Sequence, residues 1–110
     1  METRHLIEAT CPECRGPLTE VRDGEIVEFH CLVGHRYSPE GLLQAHYETQ
    51  ERALWAAVVG LEESARLVHA VAPHLTSNAT PDLDQDAQNK GQQAKEIRRV
   101  LQELKPYRIP

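Results

Sequence analysis

A chain of 110 residues with a 40% apolar share has room for one small domain, or a small module with a helical part appended, around a thin core. Seventeen acidic side chains against twelve Lys and Arg set the net charge at −5, which speaks against a general nucleic-acid binder, because a phosphate backbone is gripped by clustered cations. The N-terminal METRHLIEAT has no apolar core of the signal-peptide kind, and the longest apolar run, residues 53–61, is far short of a membrane span. The expectation is a soluble, cytoplasmic chain with no membrane partner, in a compartment where thiols stay reduced.

Residues 1–10 read as a short leader with a strand at Leu6 and Ile7. Cys11 and Cys14 follow as a Cys-x2-Cys pair. Residues 18–22 and 25–31 then flank Asp23-Gly24, a strong short-range hairpin signal. A two-residue turn there sets Arg22 opposite Glu25 and Val21 opposite Ile26. The second strand runs into Cys31, and His35 follows after three intervening residues, a Cys-x3-His pair.

Ser38-Pro39 announces a helix, with Ser as N-cap, Pro in the first helical position and Glu40 in the first turn. Tyr47, Leu54, Leu61 and Val68 recur every seven residues, accompanied by Val58, Ala65 and Ala72, so one apolar seam runs the length of this helix until Pro73 stops it. A polar connection over residues 73–80 leads to Thr80-Pro81-Asp82, a second cap-plus-proline start. The next helix carries Leu83, Ala87, Lys90, Ala94, Ile97, Leu101 and Leu104 on one face, with Gly91 softening its middle by roughly 1 kcal/mol relative to Ala. Two matching seams joined by a short connection imply an antiparallel helical hairpin.

Two short chelating pairs at opposite ends of a hairpin are the pattern of a zinc ribbon. The fold class expected is therefore small α+β: a zinc-ribbon-like β-hairpin over residues 1–37, then a two-helix antiparallel hairpin over residues 38–110, its helices at about 39–72 and 81–105. Cys11, Cys14, Cys31 and His35 are the expected ligands of a Zn2+ ion. Gly16 follows the first pair where a tight turn would leave backbone N–H groups facing sulfur, and Gly34, just before His35, supplies a conformation that a Cβ would resist. The competing fates are a Cys11–Cys14 disulfide with Cys31 free, or three unliganded thiols. His30 competes with His35 for the fourth position, but it adjoins Cys31 on a strand, where neighbours point to opposite faces. His5 and His46 stand further off, and His69 and His74 read as helix-surface residues.

Four protein ligands close the shell, which points to a structural metal, since a catalytic site keeps one position open. Glu13, between the first two cysteines, is expected to point to solvent. The His-x-Glu and Pro-Cys-x2-Cys order of the zinc deaminases is absent, as are a Gly-x-Ser-x-Gly elbow and a phosphate loop. Ser38, Ser64 and Ser77 read as a cap, a helix-surface residue and a loop residue.

The run CPECRGPLTEVRDGEIVEFHCLVGHRYSPEGLLQAHYETQERALWAAVVGLEESARL resembles the C-terminal extension of many bacterial chemotaxis-type protein-glutamate methylesterases. In that family a CPECGG-like turn and an Asp- and Gly-rich hairpin precede an FxCxVGHxYSxExLL segment, a helix of the EALWAALRxLEE kind and a second Ala-rich helix. The matching pieces here are residues 29–35, 36–43, 53–63 and 94–101. The likeness covers residues 11–104 and is most specific over 11–43. It implies a stand-alone copy of an accessory module: the family's catalytic serine, histidine and aspartate belong to a separate domain that nothing here matches, and there is no receiver domain. The partner implied is a methylesterase, a receptor array or another signalling protein. Gly41 departs from the family form, where a polar residue is common, and is expected to weaken the first helical turn.

The function expected is a non-catalytic zinc-binding module that works by protein interaction or self-association through the helical hairpin, with no small-molecule substrate. Trp55, just off the seam, is either edge packing or an exposed anchor for a partner. The alternative is a zinc-ribbon nucleic-acid-binding or transcriptional regulator, resting on the basic stretch 90–108, whose charge is otherwise explained by the helix macrodipole. A redox Cys-x2-Cys or a catalytic zinc is the third reading.

Overall fold

The computed structural model describes residues 1–76 and 80–110, apart from the side chains of Thr80 and Pro81. In chain order it has β1 (Glu2–Thr10), β2 (Pro17–Asp23), β3 (Ile26–Cys31), β4 (Arg36–Tyr37), α1 (Pro39–Val71), a 3-10 turn (Ala72–His74) and α2 (Thr80–Glu103). The strands form one antiparallel sheet in the order β1-β2-β3-β4, so the fold is small α+β, a four-stranded sheet followed by two helices. Two compact units are present: Met1–Gln50 with Pro106–Pro110, and Glu51–Lys105.

In the first unit the β2–β3 hairpin turns one residue later than expected. Asp23 pairs with Ile26, Arg22 with Val27 and Val21 with Glu28, leaving Gly24 and Glu25 as the loop. Gly24 has φ 65°, whereas Glu25 keeps a negative φ, so glycine takes the first turn position in the manner of a type II′ hairpin. An Asp in that position would meet the left-handed region with a Cβ. Moving the turn by one residue moves each partner by two, so the faces of both strands are unchanged. Leu18 and Cys31 still share one face.

The leader is longer than Leu6 and Ile7 alone: all of β1 pairs with β2, from Glu2 opposite Asp23 to Thr10 opposite Pro17, with an irregularity between Leu6 and Thr10. That irregularity leads the edge strand into Cys11. The core of this unit is small: Cys11, Leu18 and Cys31, with Ile7, Tyr37 and Leu42 packed against them.

Ser38 caps α1: its Oγ accepts from the Gly41 N–H at 3.0 Å and its carbonyl from the Leu42 N–H at 2.9 Å. A Cβ at position 41 would sit 2.9 Å from that Oγ. A larger residue there would therefore require the Ser38 hydroxyl to shift. One turn along, Leu42 reaches the core, and Thr49 donates to the Pro12 carbonyl at 3.4 Å from a buried position.

In the second unit the helices run antiparallel. Arg98 of α2 donates to Glu62 of α1 at 2.8 Å, while Ala65 and His69 line one cavity with Asp84, Ala87 and Gln88. Among the described residues of this unit the buried side chains are Val58, Ala87 and Ala94, all of them seam positions. Lys90 and Gly91 are half-buried in mid-helix. α1 gives way at Val71 to the 3-10 turn that holds Pro73. Of the connection, residues 77–79 and the Thr80 cap lie outside the described residues.

Candidate metal centre

Two tight turns build the site. In the first, the Cys11 N–H donates to the Gly16 carbonyl at 2.7 Å and the Arg15 N–H to the Cys11 carbonyl at 2.8 Å, with Arg15 in the left-handed region at φ 65°. In the second, the Cys31 N–H donates to the His35 carbonyl at 3.1 Å and the Gly34 N–H to the Cys31 carbonyl at 3.3 Å. Gly34 has φ 110°, where only a residue without a Cβ is comfortable. Both turns direct N–H groups at sulfur, as the His35 N–H shows at 3.3 Å from Cys31 Sγ.

The hairpin brings the turns together. Cys11, Cys14, Cys31 and His35 offer four ligand atoms that all lie within 4.8 Å of one another, and no other such group of three or more occurs among the described residues. Cys14 and Cys31 Sγ are 3.7 Å apart, and His35 Nδ1 is 3.3 Å from Cys31 Sγ and 3.5 Å from Cys11 Sγ. Tetrahedral zinc, with bonds of about 2.3 Å to sulfur and about 2.0 Å to nitrogen, needs roughly 3.8 Å between sulfurs and roughly 3.5 Å between sulfur and nitrogen. The donor set fits. Cys11 and Cys31 are buried, His35 is half-buried and Cys14 is exposed, so the centre sits at the surface with one thiolate toward solvent.

The electrostatics suit a cation. Burial pushes the Cys31 thiol up, but the N–H groups of His35 and Val33, the Cys14 thiol and the Gly34 N–H outweigh it and bring the group down to about 6. Cys11 is lowered in the same way, burial being overcome by Tyr37 and by the N–H groups of Cys14 and Glu13. At Cys14 the Gly16 N–H pulls down, yet burial and the neighbouring sulfurs prevail and raise it. Hydrogen bonds to the Cys31 and Cys11 sulfurs raise His35, helped by the Glu13 charge. Three sulfurs this close hold negative charge that a proton or a metal must balance.

The other histidines stand elsewhere. His30 Nε2 meets Glu28 Oε1 at 3.0 Å, and its cross-strand partners are Thr19 and Arg36, on the face opposite Cys31. His46 Nδ1 accepts from Gln50 at 3.2 Å, and His5 pairs with Glu20 in the β1–β2 register. None of them joins the group.

Glu13 is solvent-exposed, as expected, but its carboxylate is also engaged at the site: Oε2 lies 3.0 Å from His35 Nε2 and Oε1 accepts from the Tyr37 hydroxyl at 3.0 Å, while that hydroxyl lies 3.2 Å from Cys11 Sγ. Burial, then its hydrogen bonds with Cys11 and Glu13 and lastly their charges, raise the Tyr37 pKa well above its ordinary value. A signal for Tyr37 was present in the sequence: two residues after His35 on an extended segment, it shares the face of that ligand.

Trp55 is half-exposed, and the Arg98 guanidinium lies 5.5 Å from its ring centroid while also paired with Glu62. Among the described residues no helix is long and apolar enough to cross a membrane. Comparison with family models, curated proteins and solved structures finds no match to this chain.

Proposed function

We propose that this chain is a non-catalytic, cytoplasmic zinc module whose work is to bind another protein, with Cys11, Cys14, Cys31 and His35 as the ligands of a structural Zn2+. The observation that carries the reading is the fit of these four donors to a closed tetrahedral shell, which leaves no ligand position for a substrate. Beside the site, Leu32 and Val33 stand 84% and 76% exposed on the turn between Cys31 and His35. Two consecutive large apolar side chains on a metal-fastened turn cost little entropy to dock, which favours an interaction role. The sequence resemblance to chemotaxis-type methylesterase extensions suggests a partner in that kind of signalling.

The test is a cross-linking pull-down from native lysate with wild type, Leu32→Ser/Val33→Ser and Cys14→Ser, alongside zinc content. The reading expects one zinc per wild-type chain, the same zinc with a lost partner in the double variant, and loss of both in Cys14→Ser. A wild-type chain without zinc, or partners unaffected by either variant, counts against it. Retention on nucleic acid that weakens steeply with salt would favour the regulator reading instead.

A further inference from the structure

The Glu13 carboxylate bridges parts of the chain that the hairpin alone would leave independent. One of its oxygens is 3.0 Å from His35 Nε2, and the other accepts from the Tyr37 hydroxyl at 3.0 Å. The opposite ring nitrogen, Nδ1, is the one that faces Cys11 and Cys31 at 3.5 and 3.3 Å. A neutral imidazole carries a single N–H, so a ring that offers Nδ1 to a metal must keep its proton on Nε2. In this geometry that proton points at Glu13. Tyr37 in turn closes a loop, because its oxygen also lies 3.2 Å from Cys11 Sγ.

We infer that Glu13 and Tyr37 are positioning residues of the metal centre: Glu13 fixes the ring orientation and Nε2–H tautomer of His35, and Tyr37 fastens that carboxylate to the Cys11 side of the site. The inference rests on the proposal that the four residues hold zinc. Glu13 is exposed, so packing does not set its direction; the two hydrogen bonds hold its carboxylate against the site. Such carboxylate–histidine–metal arrangements raise ligand basicity and order the donor before the metal arrives. Cys14, on the solvent side, has no comparable support from a neighbouring carboxylate in the contacts of this site, so the outer layer acts on the His35–Cys11 half.

Zinc affinity measured by chelator competition on the full chain tests this, together with the 15N signals and solvent exchange of the His35 ring in the zinc-loaded protein. Glu13→Ala is expected to bind zinc about 10–100-fold more weakly than wild type. Glu13→Gln, which keeps one acceptor for the Nε2–H, should recover part of that loss, and Tyr37→Phe should lose less than Glu13→Ala. The Nε2–H should exchange slowly in wild type and fast in Glu13→Ala. Wild-type zinc binding with Glu13→Ala and Glu13→Gln unchanged in affinity, or with the Nε2–H equally protected, overturns the inference and leaves the zinc reading standing. A wild type that takes up no zinc overturns both. Should Glu13→Ala fail to fold, Glu13→Gln and Tyr37→Phe carry the comparison, and equal affinity and exchange in both would be equally decisive against it.

Discussion

Cys14→Ser separates the metal from the packing. Cys14 is exposed and contributes nothing to the core, so replacing sulfur by oxygen removes a ligand and almost no apolar contact. Besides the cysteines, the first unit buries Leu18 and Val21 as large apolar side chains, at 1% and 6% exposure. Each fully buried side chain of that size is worth about 1.5–3 kcal/mol, so the pair supplies about 3–6. Structural zinc in small modules supplies about 10–16 kcal/mol, so a zinc ion held by these four donors would dominate the stability of this unit. Stripping zinc from wild type, or crippling its site with Cys14→Ser, should unfold the sheet. The helical signal should largely survive: α1 and α2 hold 33 and 24 residues, and only residues 39–50 of them lie in the first unit, so ellipticity at 222 nm should fall by about a fifth at most. The assay is amide-resonance dispersion for residues 2–37 during a chelator titration, with circular dichroism alongside. A dispersed β-sheet spectrum that persists after the zinc has gone would refute the reasoning, and so would a collapse of the helical signal in step with the sheet.

Three other substitutions or conditions give readings of their own. Gly41→Ala gains about 1 kcal/mol of helix propensity but crowds the Ser38 Oγ that caps α1, whose loss costs about 1 kcal/mol, so urea denaturation should show almost no net change. Ser38→Ala/Gly41→Ala, with the cap already gone, should be more stable than Ser38→Ala alone; the reverse order would show that the clash is not with the cap. Val58→Ala removes two methyl groups from a fully buried seam position and should cost about 1.5–2.5 kcal/mol, whereas Val59→Ala, half-exposed one residue on, should change stability by less than about 0.5 kcal/mol. Equal effects at the two positions would contradict the seam. Zinc affinity should rise with pH, because Cys14 and His35, both raised, must shed protons to bind, and it should rise most steeply below about pH 6, where the Cys31 thiolate is itself protonated. Chelator competition between pH 5 and 8 measures this, and a flat profile would contradict it.

Much of the chain was legible because it repeats a physical rule over many residues. The seam of α1 follows helical spacing over its whole length, and the most buried helix positions, Val58, Ala87 and Ala94, are all members of the two seams. Ser38 was readable as a cap because its chemistry is local, the hydrogen bond spanning three residues. The grouping of Cys11, Cys14, Cys31 and His35 was readable for a similar reason: chelation demands short spacings, and Cys-x2-Cys and Cys-x3-His leave no cysteine unused. β1 escaped because it is an edge strand with every residue but Ile7 exposed, so it lacks the alternation that betrays a half-buried strand. The β2–β3 turn slipped by one because Asp-Gly fits more than one hairpin type, and the Asp23–Ile26 pairing, with Asp23 outside the positive-φ region, distinguishes them.

Glu13 marks where sequence reasoning stops in this chain. Between two cysteines, a glutamate has no local pattern to say where it points, and an isolated Cys-x2-Cys turn would leave it in water. Its direction is decided by His35 and Tyr37, which reach it only after β2 and β3 have closed, across 22 and 24 residues of chain. The spacing of the four donors therefore specifies that they meet, whereas the hydrogen bonds around them are a property of the closed fold.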